Sequence, residues 1–288
     1  MRIGITGASG FIGSHLVSAL IDGNGNRVIP LERKNKNAAP TPEELKAFVR
    51  DKDLIYHLGG VNRGTDEELI DGNVQGTFNL LEAVKAHGSP STHIVFASST
   101  QVYKLTRVTT PIRETRATEP TILYGVTKKT AEDMIRISGI RHTILRLSNV
   151  YGPGCRPYYN SVIATFCDRA IHRLPLLING DGNQGRDFIF IDDVIRAMVL
   201  TGTMDKDSKR NIFNVGSGRV TSLREVIGKI RDSGFKVDVT YRPEENPGDP
   251  SYCCDPERFR KWTGWKPRTS LTTGIRNTLK WVRERVAA

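Results

Sequence analysis

The chain has 288 residues, enough for one large α/β domain or two smaller lobes. Hydrophobic residues make up 38% and charged residues 25%, an ordinary balance for a folded protein. The 42 Lys and Arg residues against 31 Asp and Glu give a formal charge of +11, which favours acidic partners. The basic residues are scattered, without a long run or an interleaved aromatic motif, so we expect phosphorylated small molecules rather than a nucleic acid.

The cysteines argue against a metal or disulfide framework. Cys155, Cys167, Cys253 and Cys254 form no C-x-x-C pair, and no His cluster has zinc spacing. We therefore expect reduced thiols and no metal site. The chain enters its first apolar run directly, with neither a signal-peptide pattern nor a membrane-spanning segment. The expectation is a cytoplasmic protein with no membrane partner.

A glycine-rich turn separates an apolar run, residues 1–5, from an amphipathic run, residues 14–21. Strand, glycine turn and helix form the context in which such a turn binds a dinucleotide. Gly7 would allow the tight turn, Gly10 the close approach of a pyrophosphate, and Gly13 the packing of the helix on the sheet. The phosphates would then face a helix N-terminus, which favours negative charge. The alternative is a turn that only packs a βα unit.

The second predicted strand, residues 27–31, is followed by Glu32 and Arg33. An acidic side chain at this position can accept both ribose hydroxyls of NAD, whereas an adjacent Arg can hold the 2′-phosphate of NADP. Because the chain offers both, the choice of coenzyme stays open. The alternative is a solvated charge cluster at the end of a strand.

Two further strands are predicted over residues 53–58 and 93–97, with a long amphipathic segment at 66–87 between them. The alternation of strands and helices predicts a parallel, doubly wound sheet, with function at the carboxyl ends of its strands. Gly59 and Gly60 follow one strand, and small residues there let the chain pass close to a coenzyme. His57, inside that strand, is expected to be a packed core residue rather than a catalyst.

A hydroxyl cluster, residues 98–100, ends the next strand, and Tyr124 and Lys128 follow on a predicted helix. Spacing of i and i+4 puts the tyrosine and the lysine on one helix face. A lysine ammonium near a phenol favours the phenolate, so we expect a lowered tyrosine pKa and a usable base. The spacing alone is common. Together with the dinucleotide turn and the hydroxyl cluster, it predicts a catalytic pair.

The chain is less regular after the strand at 143–147. Residues 1–150 are predicted to form a Rossmann-type NAD(P)-binding domain, to which a later segment, about 186–216, returns. Residues 151–288 would form mainly a smaller α/β lobe that binds substrate and closes over the mouth of the sheet. The predicted fold class is therefore α/β, a doubly wound parallel sheet with a smaller C-terminal lobe.

Together these motifs resemble the extended short-chain dehydrogenase/reductase family, specifically its nucleotide-sugar epimerase and dehydratase branch. The resemblance covers nearly the whole chain. The matching segments are 6–13, 57–60, 73–77, 79–83, 98–103, 124–128, 146–154, 186–194, 247–249 and 264–267.

The resemblance implies roles for particular side chains. Tyr124 would remove the proton from a sugar hydroxyl as hydride leaves the same carbon for the coenzyme. Lys128 would hold the coenzyme ribose, and Thr100 would hydrogen-bond the reacting oxygen. The implied coenzyme contacts are Gly7, Gly10, Phe11, Ile12, Gly13, Glu32, Arg33, Leu58, Gly59, Gly60, Asn73, Ser98, Tyr124 and Lys128.

The same resemblance implies a nucleotide-diphosphate sugar as substrate. The implied substrate contacts are Thr100, Gln101, Asn149, Asn160, Arg186 and Asp249. Arginine suits a diphosphate through its charge and its forked donors. Each polar contact has an alternative: Asn149 could cap a turn, Arg186 could pair with Asp187 or Asp192, and Asp249 could shape a Pro-Gly turn.

The chain departs from its relatives at Gln101, where sugar dehydratases and decarboxylases carry a carboxylate. This departure disfavours elimination and decarboxylation. The resemblance implies an NAD(P)-dependent nucleotide-sugar epimerase, acting at C4 through a transient keto sugar. The alternative is an NADPH-dependent 4-ketoreductase, which segments 57–63 and 155–167 also resemble. A non-catalytic NAD(P)-binding regulator is less favoured. By analogy we expect a homodimer formed through helices at about 66–87 and 122–138.

Overall fold

The computed structural model describes residues 1–21, 25–32, 39–105, 110–159, 161–204, 212–246, 248 and 251–287. Strands and helices alternate through the first half of the chain, as the apolar runs predict. The strands are β1 Arg2–Thr6, β2 Arg27–Pro30, β3 Leu54–His57, β4 His93–Ser99, β5 Arg141–Leu147, β6 Asn149–Tyr151, β7 Leu176–Asn179, β8 Gly185–Arg186, β9 Phe188–Phe190, β10 Ile212–Val215, β11 Thr221–Ser222 and β12 Val239–Arg242.

The first helix begins at the glycine turn, and four others follow a Thr or Ser whose side chain accepts a backbone N–H of the first turn: Thr41, Thr65, Ser161 and Ser222. The helices are α1 Phe11–Ile21, α2 Pro42–Val49, α3 Asp66–Ile70, α4 Gly76–His87, α5 Leu123–Ile137, α6 Val162–Ile171, α7 Ile191–Thr203, α8 Leu223–Asp232, α9 Glu257–Thr263 and α10 Leu271–Ala287. A π-helical turn, Asp71–Gln75, joins α3 to α4, and a 3₁₀ turn, Thr100–Val102, follows β4 directly.

Six parallel strands form the central sheet, in the order β10-β5-β4-β3-β1-β2. This arrangement confirms the predicted α/β fold with a Rossmann-type parallel sheet. The chain runs from β1 outward to β2 on one side and continues through β3, β4 and β5 on the other. The strand order therefore reverses between β1 and β3, and a crevice at such a point is where open α/β sheets bind ligands.

Both faces of the sheet are covered, because side chains alternate along each strand. On β4, Val95 belongs to a cluster that also contains Leu16 of α1 and Met198 of α7. Its neighbours Ile94 and Phe96 belong to a second cluster with the buried faces of α2, α4 and α5. Packing between these two apolar layers holds the sheet in place and therefore fixes the positions of the carboxyl ends of its strands.

The second half of the chain forms three two-stranded pairings: β6 with β9, β7 with β12, and β8 with β11. Strand β10 returns to the central sheet and pairs in parallel with β5, Ile212 opposite Ile144. The exact division into lobes at residue 150 stays a prediction. Across the residues that the structure describes, none of the helices has the combined length and apolar character needed to cross a bilayer.

Candidate active site

The glycine turn connects β1 to α1 at the strand-order reversal. Gly7 has a φ of 70°, and its carbonyl accepts the N–H of Gly10 at 3.0 Å. A Cβ at Gly7 would lie 2.7 Å from the Gly59 nitrogen, and one at Gly13 would lie 2.1 Å from the Gly7 oxygen. A Cβ at Gly10 would meet only the Gly7 oxygen, at 3.2 Å, and would otherwise enter open space. This open face at the start of a helix fits a pyrophosphate.

The different surroundings of these glycines predict different effects of added methyl groups. Gly10→Ala is expected to leave the unfolding temperature within about 2 °C of wild type but to weaken NAD binding at least about tenfold, because its methyl group occupies the phosphate side. Gly13→Ala is expected to lower both the unfolding temperature and the affinity for NAD, since its methyl group collides with the backbone. Calorimetric unfolding and NAD titration measure the two effects. Equal loss of stability in both variants would contradict this reading of the turn.

The loop after β3 passes directly over the glycine turn. Thr6 Oγ1 accepts the Gly59 N–H at 2.9 Å and also contacts His57 Nδ1 at 2.8 Å. His57 Nε2 lies 3.0 Å from Thr77 Oγ1, and burial, helped by the charge of Lys128, lowers the histidine pKa to about 3. His57 is therefore a neutral, packed residue, as predicted, and it helps to shape the loop that carries Leu58, Gly59 and Gly60.

Asn73 lies on the π-helical turn and is 2% exposed. Its side-chain amide accepts from the Val61 nitrogen at 3.0 Å and donates to the Val61 oxygen at 2.8 Å and to Thr127 Oγ1 at 3.0 Å. The side chain thus ties the loop after β3 to α5. The predicted coenzyme contact of Asn73 stays a prediction beside this structural role.

Tyr124 and Lys128 lie one turn apart on α5, facing the carboxyl end of β4. The Tyr124 hydroxyl forms side-chain hydrogen bonds with Ser99 and Asn62, and both bonds favour the ionised phenol. Burial nevertheless outweighs them and raises the pKa of Tyr124. The tyrosine is placed as a proton-transfer group, but in this state it is held protonated.

Lys128 is 6% exposed, and its ammonium lies 4.1 Å from the centre of the Phe96 ring. Burial lowers the lysine pKa to about 7, while the carboxylate of Glu132 opposes this shift. The expectation that Lys128 gives Tyr124 a lowered pKa is therefore wrong for this state. Burial sets the direction for the tyrosine, and the bonds that oppose it come from Ser99 and Asn62.

The structure brings Ser99, rather than Thr100, to Tyr124. Thr100 is 1% exposed, and its hydroxyl lies 3.4 Å from the Tyr252 hydroxyl. The reason is local: the extended strand ends at Ser99, and the 3₁₀ turn rotates Thr100 away from the crevice. Ser99 Oγ accepts the Gln101 N–H at 3.2 Å, and its side chain favours the ionised form of the Tyr124 phenol, which acts to lower the tyrosine pKa.

Ser98 faces the opposite side of β4, where a buried polar network begins. Its hydroxyl donates to Glu132 at 2.5 Å, and Arg146 donates to both Glu132 oxygens at 2.9 and 2.6 Å. Arg146 Nη1 also donates to the Tyr103 hydroxyl at 2.9 Å, which in turn donates to Asn214 Oδ1 at 2.9 Å. The coenzyme contact predicted for Ser98 stays a prediction, but its side chain serves this network.

The predicted diphosphate contacts Asn149 and Arg186 lie on β6 and β8, which belong to two different two-stranded pairings. Asn149 donates its backbone N–H and its side-chain amide to the Asp187 carbonyl at 2.9 and 3.2 Å. Arg186 Nη1 donates to the Gly185 carbonyl at 2.9 Å. The Asp187 carboxylate is fully buried and accepts bonds from Ser148, Ser217, Gly218 and Cys254. Contact of Asn149 and Arg186 with substrate stays a prediction.

The remaining predicted residues have simple surroundings. Phe11 and Ile12 are half-buried in the first turn of α1, Glu32 is exposed just beyond β2, and Gln101 is half-buried beside Tyr252. Arg33, Asn160 and Asp249 lie outside the described residues. Sequence reasoning missed Asn62 and the Glu132–Arg146 pair. Glu132 lies on α5 and Arg146 on β5, so no local spacing indicates the pair, and no sequence signal pointed to Asn62.

Comparisons with known proteins agree with this geometry. A putative UDP-glucose 4-epimerase of Methanocaldococcus jannaschii is 34% identical, with 97% of each chain covered. A UDP-2-acetamido-2,6-beta-L-arabino-hexul-4-ose reductase of Pseudomonas aeruginosa is 33% identical over 81% of this chain and 58% of its own.

Solved structures are similar over the whole length. UDP-glucose 4-epimerase of Thermotoga maritima with UDP-glucose superimposes with a TM-score of 0.88 at 28% identity, covering 99% of this chain and 100% of that one. UDP-glucuronic acid 4-epimerase of Bacillus cereus, in complex with UDP-glucuronic acid and NAD, gives 0.85 at 26% identity, with coverage of 99% and 100%. The family model matches residues 3–216, and the chain therefore belongs to the NAD dependent epimerase/dehydratase family.

Proposed function

We propose that this protein is an NAD-dependent nucleotide-sugar 4-epimerase. The observation that carries the proposal is the placement of Ser99, Tyr124 and Lys128 at the carboxyl end of β4, beside the glycine turn. The family membership and the similarity to UDP-sugar 4-epimerases over nearly the whole chain support it. A binding regulator would not require a tyrosine and a serine hydroxyl aimed at one point.

Bound NAD would supply the hydride acceptor for the sugar carbon. Tyr124 removes the proton from the sugar hydroxyl, and Ser99 donates to the same oxygen while it changes between hydroxyl and carbonyl. For epimerisation the keto sugar presents its other face, and Tyr124 returns the proton. NAD, when bound, would take the hydride from the sugar carbon and give it back to the other face of the same carbon, so no coenzyme would be consumed.

Lys128 supports this proton transfer. Its buried ammonium lies over the Phe96 ring, and the residue follows the catalytic tyrosine by one turn of α5. In the proposal the lysine holds the ribose of NAD. Its lowered pKa, about 7, also lets it lose a proton more readily than an exposed lysine, so it can pass protons between solvent and Tyr124.

Gln101 separates this reaction from related ones. The Gln101 side chain is half-buried, and its amide nitrogen lies 3.5 Å from the Tyr252 hydroxyl. An amide can hydrogen-bond a sugar but cannot act as the carboxylate acid or base of an elimination. We therefore propose Gln101, with Asn149, Arg186, Asn160 and Asp249, as the substrate side of the site, with epimerisation favoured over dehydration.

The coenzyme distinguishes the leading function from its alternative, an NADPH-dependent 4-ketoreductase, which the Pseudomonas aeruginosa reductase supports. The purified protein is denatured, and the released nucleotide is identified by mass spectrometry. Retained NAD, together with conversion of UDP-glucose without added reductant, supports the epimerase. Empty protein that binds NADPH more tightly than NADH supports the ketoreductase and assigns Arg33 to the 2′-phosphate.

We also propose a homodimer in a reducing, cytoplasmic compartment. Ile70, Phe78 and Val126 are 49, 48 and 42% exposed on α3, α4 and α5, where a second copy would cover them. The four cysteines are buried free thiols, which supports the reducing compartment. Light scattering is expected to give twice the 32.1 kDa chain mass. A monomer mass at micromolar concentration would contradict the dimer.

A further inference from the structure

Two aromatic rings lie side by side on one face of the central sheet. Phe96 on β4 stands opposite His57 on β3 in the parallel register, and their ring centres are 5.3 Å apart with 29° between the planes. Phe96 is 1% exposed and His57 is 4% exposed. Side chains that are level on neighbouring strands point to the same face of a sheet. The register of the two strands therefore stacks the phenylalanine against the histidine.

His57 is neutral, because its ring nitrogens have fixed hydrogen-bonding roles. Thr77 Oγ1 donates its own proton to the Asn73 carbonyl at 2.6 Å and therefore accepts the proton of His57 Nε2 at 3.0 Å. The Thr6 hydroxyl accepts a backbone N–H and donates to His57 Nδ1 at 2.8 Å. This pattern assigns one proton to the ring, on Nε2, and burial lowers the histidine pKa to about 3. The histidine therefore brings no positive charge to the ring beside it.

A positive charge reaches this phenylalanine from the helix that covers it. Lys128 extends from α5, and its Nζ lies 4.1 Å from the centre of the Phe96 ring. An ammonium within about 6 Å of a ring centre is attracted by the negative face of the π system, and the attraction grows when water is excluded. Lys128 is 6% exposed. The contact therefore has the burial that makes it strong, and it holds the end of a flexible four-carbon stem.

The carboxylate that favours the ammonium is shared with a second cation. Burial lowers the pKa of Lys128 to about 7, and the carboxylate of Glu132, one turn further along α5, opposes this shift. That carboxylate also accepts bonds from Arg146 at 2.9 and 2.6 Å and from Ser98 at 2.5 Å. Tyr124, one turn earlier on α5, is held protonated by burial. With the lysine pKa this close to neutrality, an attraction from the ring changes how much of the charged form persists.

We propose that Phe96 is a positioning residue, whose ring face holds the Lys128 ammonium in its charged form and in a fixed place against the sheet. This inference rests on the proposed function, in which that ammonium binds the NAD ribose and favours the tyrosinate of Tyr124. Phe96 acts through Lys128 and takes no part in making or breaking bonds. An aliphatic side chain could fill the same space but would offer the ammonium no negative face.

The test changes the charge distribution of the ring while keeping its shape. Phe96 is replaced by phenylalanine carrying one, two or three ring fluorines, each of which withdraws electron density from the ring face. The Lys128 pKa is followed in the NAD-saturated protein by ¹³C NMR of the lysine side chains, and Lys128→Met identifies the signal. The pKa is expected to fall with each fluorine, by about one pH unit with three, because only the charged form loses an attraction.

The reaction is expected to follow the same series. The alkaline limb of the pH profile for UDP-glucose turnover should move to lower pH by the same amount as the Lys128 pKa, since the ammonium is the form that favours the tyrosinate. A residue that only filled space beside Lys128 would not produce this graded movement, because the fluorinated rings keep nearly the same volume.

Two comparisons separate the charge distribution of the ring from its packing. The same fluorinated residues at Phe166, which is 2% exposed on α6 within an apolar cluster, are expected to leave the Lys128 pKa unchanged. Phe96→Leu removes the ring altogether and is expected to lower the Lys128 pKa at least as far as three fluorines do, together with the unfolding temperature.

A Lys128 pKa that stays constant across the fluorine series at Phe96, or that falls equally when Phe166 is fluorinated, would overturn the inference. A falling pKa with an unmoved pH profile would overturn it as well, because the contact would then not serve the reaction. If Tyr124→Phe retained full turnover, the proposed function would fail instead, whatever the Lys128 titration showed.

Discussion

Replacing Tyr124 by phenylalanine is expected to lower turnover by about 10²–10⁴-fold, the usual contribution of a general acid–base group. Only the hydroxyl is lost, and the ring still fills its place on α5, so the unfolding temperature and NAD binding should change little. Ser99→Ala is expected to cost about 10²-fold, because it removes the donor that shares the reacting oxygen. Turnover is measured by chromatographic separation of UDP-glucose from its epimer.

Two further variants serve as controls for this prediction. Thr100→Val conserves the volume of a side chain that faces Tyr252 and is expected to keep turnover within about threefold of wild type. Tyr241→Phe removes a hydroxyl from a tyrosine that is 38% exposed on β12 and should have no effect. A larger loss in Thr100→Val than in Ser99→Ala would restore Thr100 as the catalytic hydroxyl.

Replacing Glu132 by alanine is expected to lower the free energy of unfolding by about 3–5 kcal/mol, the usual cost of breaking a buried ion pair. Glu132 and Arg146 are 1% and 4% exposed, so the arginine would keep its charge without a carboxylate partner and without water. The unfolding temperature should fall by on the order of 10 °C. Calorimetry or chemical denaturation of the purified variant measures the loss.

The neighbouring residue on α5 provides the matched control. Asp133 pairs with Lys129 and Arg136 at the surface, where ion pairs contribute about 0–1 kcal/mol, so Asp133→Ala should cost far less. The double variant of Glu132→Ala with Arg146→Met should recover part of the loss, because no buried charge then remains. Equal losses in Glu132→Ala and Asp133→Ala would show that the pair is not a buried anchor.

Most of the features that the sequence predicts correctly follow from local sequence patterns. The apolar runs with glycine at 7, 10 and 13 predict a strand, a turn and a helix, because each requirement acts within a few residues. The spacing of Tyr124 and Lys128 likewise predicts a shared helix face. Alternating strands and helices predict the parallel sheet, since the connections between such units follow fixed rules.

Contacts between distant segments set the limits of prediction. Which hydroxyl of residues 98–100 reaches Tyr124 depends on where the strand becomes a 3₁₀ turn, a difference of one residue. Asn62 influences the Tyr124 pKa from a loop that Asn73, on another element, binds through the Val61 backbone. The direction of the Tyr124 pKa depends on burial by the whole fold, and nearby charges read from the sequence do not include that cost.

Strand β10 is synthesised well after its partner β5, and this order has a consequence for folding during translation. The strand pairs with β5 about 70 residues after β5 is synthesised, and its Asn214 completes the bonds around the Tyr103 hydroxyl. Until residue 215 leaves the ribosome, β5 is an open edge and a site for pairing with other chains. A gene fragment ending after α6 should therefore aggregate on expression, although it encodes the glycine turn and every catalytic side chain.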